Sequence, residues 1–267
     1  MRSFASDNNS GVHPLVMDAL QRANEDHALG YGSDKWTDEA VAMLKESFTP
    51  ACEPLFVFNG TGSNIVALQL MVRPFHSIIC AETAHIYVDE CGSPVKNTGA
   101  QIRPVLTPDG KLTPELIRPY LHGFGDQHHS QPGAIYLSQC TELGTVYTPG
   151  ELKALTSLAH EHGMYVHMDG ARIANACAYL KTSLKQITAD CGIDVLSFGG
   201  TKNGLMMGEC VVIFNEELKA SAAFVRKQSA QLASKMRYLS CQFTAYLTDH
   251  LWLKNAEHAN AMAQRLC

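Results

Sequence analysis

Three stretches of this 267-residue sequence gather residue types that could do chemistry together. The first is Gly60-Thr61-Gly62-Ser63-Asn64, which follows the apolar run Leu55-Phe56-Val57-Phe58 and enters a helical pattern from Ile65 to Val72. Glycines let a backbone approach an anion, the first amides of a helix point N–H groups at it, and Thr61 and Ser63 add hydroxyls. A phosphate would suit this turn, and so would plain turn chemistry at a helix start. A dinucleotide is the weaker variant: Glu82 stands twenty residues beyond Gly62, but Ile65 occupies the place of the third glycine of GxGxxG. The second stretch, His167-Met168-Asp169-Gly170-Ala171-Arg172, puts a carboxylate and a guanidinium at the end of an apolar run. It reads either as a ligand site or as an internal Asp–Arg pair capping the next helix. The third, Ser197-Phe198-Gly199-Gly200-Thr201-Lys202-Asn203-Gly204, sets a lysine in a tight turn between two apolar runs. Most lysines are solvated surface charges. A turn at that place would partly desolvate the ammonium, the condition under which a lysine serves as a Schiff-base nucleophile.

Positioning these residues requires a scaffold, and the apolar pattern supplies one. Ser77–Cys80, Ala134–Leu137, Met164–Met168, Val195–Phe198 and Val211–Phe214 are short apolar runs suited to strands buried on both faces, in addition to Leu55–Phe58. Helical stretches alternate with them. Thr148-Pro149-Gly150-Glu151 is a capping box with proline at the first helical position, followed by Leu152, Leu155 and Leu158 on one face and closed by Gly163. Thr113-Pro114-Glu115 opens a helix in the same style, and Thr37-Asp38-Glu39 starts another whose buried stripe is Val41, Leu44 and Phe48. Residues 123–131 form a polar loop. After Phe214 the sequence is helix-like over 216–230, 231–249 and 251–266. The alternation predicts an α/β fold with a mainly parallel central sheet, in which ligands bind at the carboxyl ends of the strands.

Composition narrows the classes. Apolar residues make up 46% and charged residues 18%, an ordinary globular balance. The net charge of -5, with no basic run, argues against nucleic acid as a partner. No apolar stretch is long enough to span a bilayer, and residues 1–11 lack the apolar core of a signal peptide, so no membrane association and a cytoplasmic location are expected. Nine cysteines without a CxxC read as reduced thiols. His160-Glu161-His162 lacks the i,i+4 spacing of a zinc helix, so no metal is expected. A Ser-His-Asp hydrolase finds no GxSxG.

The order of the three stretches, with a lysine turn about thirty residues after the aspartate, resembles the threonine aldolases of the aromatic amino acid β-eliminating lyase group. These belong to the aspartate-aminotransferase-like, fold type I, pyridoxal phosphate enzymes. The matching segments are Phe4-Ala5-Ser6-Asp7-Asn8, Gly30-Tyr31-Gly32-Ser33-Asp34, residues 59–64, His85-Ile86-Tyr87-Val88-Asp89-Glu90, Asp169-Gly170-Ala171-Arg172 and Gly200-Thr201-Lys202. The resemblance implies pyridoxal 5'-phosphate as cofactor, with Lys202 as its Schiff-base lysine and Asp169 paired with the pyridine nitrogen. It implies His85 stacked on the cofactor ring and in proton transfer to or from the substrate hydroxyl. It places the phosphate on Gly60, Thr61, Gly62 and Ser63, and gives Arg172 to the binding site. It also implies that Ser6 and Arg172 grip the substrate carboxylate, that Tyr31 lies near the site, and that His128 or His129 faces the substrate hydroxyl. Lys227, Lys235 and Arg237 would either face a neighbouring subunit's phosphate or form a solvated helix face.

The activity implied is aldol cleavage of L-threonine, L-allo-threonine or related β-hydroxy-α-amino acids to glycine and an aldehyde. The rivals are another fold type I lyase, doing β-elimination or transamination, and a dinucleotide-dependent oxidoreductase using Gly60 and Gly62. A homodimer or homotetramer is implied as well. Two departures stand out. Such enzymes continue for roughly 70–90 further residues, the size of a small domain carrying a second carboxylate-binding arginine. This sequence stops at Cys267 inside a helical pattern, as a fragment or a chain with an incomplete clamp would. The expected organisation is therefore an N-terminal segment over 1–30, a cofactor-binding large domain over 31–250, and the start of a C-terminal small domain over 251–267 whose remainder is missing. Ser138-Gln139-Cys140-Thr141-Glu142 also departs from the Leu-Glu-Asn-Thr more common in the family, which implies a variant substrate range.

Overall fold

The computed structural model describes residue 3 and residues 5–266. Phe4 and Cys267, which the sequence reading had singled out, lie outside the described residues. After two helices, α1 (Pro14–Arg22) and α2 (Lys35–Ser47), the chain enters β1 (Glu53–Val57), α3 (Gly60–Met71), β2 (His76–Ala81), the short α4 (His85–Val88) and α5 (Ser93–Thr98), and then β3 (Gln101–Val105). A single turn, α6 (Pro114–Ile117), precedes β4 (Gln131–Ser138), α7 (Pro149–Glu161), β5 (Tyr165–Gly170), α8 (Ile173–Leu180), β6 (Val195–Gly199) and β7 (Glu209–Ile213). Three helices follow: α9 (Glu216–Gln228), α10 (Arg237–Leu247) and α11 (Leu251–Gln264).

The seven strands form one sheet in the order β1-β7-β6-β5-β4-β2-β3. β3, β2, β4, β5 and β6 are mutually parallel, and β7 runs antiparallel to both β6 and β1. The six anticipated strands are all present, and the expected α/β class with a mainly parallel sheet is borne out. The missed strand, β3, lies at the edge and is half-exposed, so its residues Gln101, Arg103 and Pro104 break the apolar pattern without penalty.

Each buried strand sends alternate side chains to two faces. Phe56, Ile79, Ile135, Leu137, Met168, Leu196, Phe198 and Val212 point to one core, which α2, α7, α8, α10 and α11 cover. Val57, Ile78, Cys80, Ala134, Tyr136, Val195 and Val211 point to the other, under α3 and α9. The sheet is thus sandwiched between helices, the arrangement its continuous apolar runs require.

The helix punctuation is partly as anticipated. Thr148 and Glu151 exchange the reciprocal bonds of a capping box on α7. At α2 the cap is Asp34 and not Thr37: its carboxylate accepts from the backbone N–H and the hydroxyl of Thr37, each at 2.9 Å. The buried stripe of α2 is Thr37, Ala40, Leu44 and then Phe48, with Val41 only half-buried. The α-helix after Thr113 lasts one turn because Pro119 has no N–H to extend the ladder, and the chain tightens into a 3-10 turn over Arg118–Tyr120. The helix expected from Gln231 begins only at Arg237, since residues 229–236 cross the molecule to lay Gln231 over α3.

Among the described residues no helix is long and apolar enough to cross a membrane. Among the described residues no three His, Cys, Asp or Glu side chains converge as a metal set, and the eight cysteines are unpaired.

Candidate active site

The carboxyl ends of β1, β2, β4, β5 and β6 lie along one edge of the sheet, and antiparallel β7 begins there. The loops that leave this edge enclose a cleft of about 340 Å³, lined among others by Gly60, Thr61, His85, Asp169, Arg172 and Lys202. Residues far apart in sequence meet here because each directly follows, or closes, a strand. A larger groove, about 870 Å³, lies between α1, α2, α10 and α11, and none of the three sequence stretches contributes to it.

Asp169 closes the cleft floor at the end of β5 with its side chain almost fully buried. Burial alone would raise its pKa. Its carboxylate accepts from the Tyr136 hydroxyl at 2.6 Å, from Asn64 Nδ2 at 2.9 Å and from the backbone N–H of Ala171 at 2.9 Å. These bonds outweigh desolvation and hold the carboxyl below its ordinary range. The result is a fixed, buried anion. Arg172 does not pair with it, so the capping Asp–Arg pair considered from the sequence is not what forms.

His85 begins α4, just past the end of β2, and its Nδ1 lies 2.8 Å from Oε1 of the buried Glu90. That hydrogen bond is the main reason the imidazole pKa is raised, against the opposing effect of burial. Asn64 spans the two acids, with Nδ2 2.8 Å from Glu90 and 2.9 Å from Asp169. Its Oδ1 accepts from Ser197 in turn. One buried amide therefore ties the histidine–glutamate pair to the aspartate.

The turn after β1 becomes the first turn of α3, with Asn59 as its cap accepting from the N–H of Gly62 at 2.7 Å. The N–H groups of Gly60 and Thr61 find no acceptor among the described residues, and the space above Gly60 is open. Opposite, Lys202 stands half-buried on the turn Thr201–Asn203 between β6 and β7. Its ammonium makes no ion pair among the described residues. Helices α10 and α11 hold that turn in place, since Asn203 donates to the Tyr246 hydroxyl at 2.6 Å and to the Trp252 carbonyl at 2.8 Å. Glu209 braces it from below by accepting from the N–H of Gly200 at 2.8 Å. Burial pushes the Glu209 pKa up to about 7.

Other anticipated residues are placed elsewhere. Ser63 is fully buried and donates to Ser197 at 2.7 Å, so its hydroxyl is spent between helix and sheet. Gly62 has its N–H on Asn59 and its open side under the Gln231 amide. Ser6 caps a turn and accepts from the N–H of Asn8, and it is Asn8 that reaches the cleft. Arg172 lines the cleft, but Nε and Nη2 are engaged by Asp7 at 2.7 and 3.2 Å. Tyr31 is exposed, with the Lys227 ammonium 5.3 Å from its ring centre, away from the cleft. His128 and His129 precede β4, whereas the cleft follows it. Seven residue steps of strand, roughly 23 Å, separate the two ends. Glu82, on which the dinucleotide reading rested, accepts instead from the N–H and hydroxyl of Thr107. Arg237 donates to the carbonyls of Glu25 and Asp26 and stacks on Trp36, while Lys235 is exposed.

Sequence reasoning passed over Asn64, Glu90, Tyr136, Glu142 and Glu209 as functional side chains. Asn64, Glu90 and Glu142 lie within the segments 59–64, 85–90 and 138–142, so a polar residue near each candidate was the available signal. Tyr136 carried none, because it lay in an apolar strand run, and Glu209 fell just before the run Val211–Phe214.

The chain is similar to known proteins over nearly its whole length. The family model described as Beta-eliminating lyase matches residues 3–267. The low specificity L-threonine aldolase of Pseudomonas sp. (strain NCIMB 10558) is 44% identical over 266 residues, 99% of this chain and 77% of that protein. The solved threonine aldolase of Leishmania major superposes with a TM-score of 0.93 at 33% identity, over 99% of this chain and 77% of that one. Aspartate aminotransferase from Thermus thermophilus, at 16% identity and a TM-score of 0.72 over 97% of this chain and 68% of its own, shares the fold. The chain thus belongs to the beta-eliminating lyase family.

Proposed function

We propose that this chain binds pyridoxal phosphate in the cleft and cleaves the Cα–Cβ bond of β-hydroxy-α-amino acids, with threonine or allo-threonine giving glycine and acetaldehyde as the simplest case. The observation that carries the reading is the fixed Asp169 anion on one strand end with Lys202 free of ion pairs on the next. The residues fit the cofactor. A buried carboxylate held ionised suits a protonated pyridine nitrogen, and a primary amine across the cleft suits an aldehyde. The unpaired N–H groups of Gly60 and Thr61, at the positive end of a twelve-residue helix with open space above, suit a phosphate.

When bound, the cofactor supplies an electron-withdrawing ring conjugated to the amino acid's Cα. The protein supplies the rest. Asp169, locked by Tyr136, Asn64 and Ala171, would hold a proton on the ring nitrogen. Lys202 would hold the cofactor's aldehyde through its amine and would carry a proton to or from Cα. His85, oriented by Glu90, presents a titratable nitrogen to the cleft. The unoccupied donors of Arg172 can take the substrate carboxylate while Asp7 holds the guanidinium plane. The names of the Pseudomonas and Leishmania relatives support the choice of bond.

The test is a visible absorbance spectrum of the protein with added cofactor, in wild type and Lys202→Ala, followed by threonine. The expected result is a band that requires Lys202, then acetaldehyde and glycine in equal amounts. Pyruvate and ammonia, or a keto acid, would assign a different bond. No band in folded wild type would remove the cofactor.

A further inference from the structure

Among the described residues three acids line the cleft, and two are spoken for. Asp169 is saturated by three donors, and Glu209 is buried beneath the lysine turn. The third, Glu142, stands on the loop after β4 and is half-exposed. Its Oε1 is anchored twice, by the backbone N–H of His85 at 2.9 Å and by the Ser138 hydroxyl at 2.6 Å. Its Oε2 accepts no hydrogen bond from the described residues, and no lysine, arginine or histidine nitrogen among them pairs with it. A carboxylate fixed through one oxygen, with the other free beside a ligand cleft, is a preorganised proton acceptor.

Resting on the function proposed above, we infer that Glu142 Oε2 takes the β-hydroxyl proton of the substrate. The negative charge of Glu142 disfavours the substrate carboxylate there and leaves that group to Arg172. The hydroxyl end of the substrate then faces the loop after β4. As the O–H bond breaks, the proton passes to Oε2 and the freed electron pair forms the aldehyde C=O. The Cα–Cβ bond breaks, and its pair stays on Cα until a proton returns there. The balance is one β-hydroxy amino acid to one aldehyde and one glycine. Anchoring Oε1 to the N–H of His85 also fixes the distance between this acceptor and the imidazole, which is left for the other proton transfers.

Glu142→Gln in the cofactor-loaded chain tests the role. The amide oxygen can still accept from His85 and Ser138, so the apo-protein melting temperature should match wild type. Threonine cleavage should fall at least ~100-fold, the loss expected for a general base. Solvent exchange of glycine's α-hydrogens, which needs no hydroxyl proton, should stay within about threefold by proton NMR. Calorimetric titration should show the serine-to-alanine affinity ratio falling about fivefold, because only serine bonds the carboxylate. Glu142→Asp, which keeps the charge but shortens the reach, should recover part of the cleavage rate. Cleavage within about threefold of wild type, an unchanged serine-to-alanine ratio, or loss of glycine exchange in parallel with cleavage would each overturn the assignment. Wild type that neither binds the cofactor nor exchanges glycine would overturn the proposed function itself, a result distinguishable from failure of Glu142 alone.

Discussion

The Nδ1 nitrogen of His85 lies 2.8 Å from Oε1 of Glu90, whose side chain has no exposed surface. With Glu90 as acceptor, the imidazole carries its proton on Nδ1 and leaves Nε2 for the cleft. Glu90→Gln removes the charge behind the raised His85 pKa, so the His85 titration followed by proton NMR should move to lower pH. An unmoved midpoint would show that Glu90 is not the cause. A raised histidine pKa stabilises the fold below the ordinary value and loses that contribution as pH rises through the folded value. The variant's deficit should therefore be larger at pH 5.5 than at pH 8.5. The new amide N–H₂, placed where Glu90 Oε2 has no partner, adds a cost of about 1–3 kcal/mol at every pH.

Asp169 carries the opposite sign. Its depressed pKa stabilises the fold above the ordinary carboxylate value, and that contribution is lost as pH falls through the folded value. Asp169→Asn should be less stable than wild type at pH 7, by about 1–3 kcal/mol, with the gap narrowing toward pH 3 in urea titrations. The same variant should bind pyridoxal phosphate at least ~10-fold more weakly, because a neutral amide no longer holds the ring nitrogen's proton by a charge-assisted bond. Wild-type affinity in Asp169→Asn would remove the aspartate from the cofactor site.

The strands were legible because burial on both faces makes each one a continuous apolar run, and the site residues were legible where they end such a run. Asp169 and Lys202 were found that way. What stayed hidden depends on which direction a side chain takes. Ser63 and Thr61 sit in one turn, yet helical geometry sends Ser63 into the sheet toward Ser197 and leaves Thr61 at the cleft. Tyr136 looked like core, and only its register opposite His167, one step along from the Leu137–Met168 pair, brings its hydroxyl under Asp169. His128 and His129 looked equivalent to other loop histidines, but a loop before a parallel strand and a loop after it lie at opposite edges of the sheet. Asp34 lies in the segment Gly30–Asp34, and its cap on α2 follows from the extended backbone that precedes a helix.

Gly60 and Gly62, two residues apart, should respond differently to alanine. A methyl at Gly62 would meet the Gln231 amide at 2.4 Å and displace a side chain whose Oε1 accepts from the Phe58 N–H at 3.0 Å. Gly62→Ala should therefore lower stability by about 1–2 kcal/mol in the apo protein. A methyl at Gly60 meets nothing within 4 Å. Gly60→Ala should leave apo stability within about 0.5 kcal/mol, yet weaken binding of pyridoxal phosphate and of inorganic phosphate, since the methyl enters the space above the two free amides. Thermal melts paired with equilibrium titrations separate the two effects. Normal phosphate binding in Gly60→Ala would place the anion elsewhere.

Glu209 makes the lysine turn sensitive to pH in a way the other acids do not. Burial raises its pKa to about 7, so its protonated form suits the folded state. A raised carboxyl pKa stabilises the fold below the ordinary value near 4.5, and that contribution is lost as pH climbs from there through about 7. The full loss is on the order of 3 kcal/mol, from the separation between the two values. Glu209→Gln keeps an oxygen for the N–H of Gly200 and does not titrate, so it should lose less stability than wild type between pH 5 and pH 8. Because Glu209 braces the Gly200–Lys202 turn, its ionisation also adds a further negative charge at the cleft, near Asp169. Binding of the phosphate group should therefore weaken above pH 7 in wild type and less so in Glu209→Gln. Urea unfolding and cofactor titration at pH 5, 6, 7 and 8 measure both slopes, and identical slopes in the two proteins would mean that Glu209 keeps one protonation state throughout.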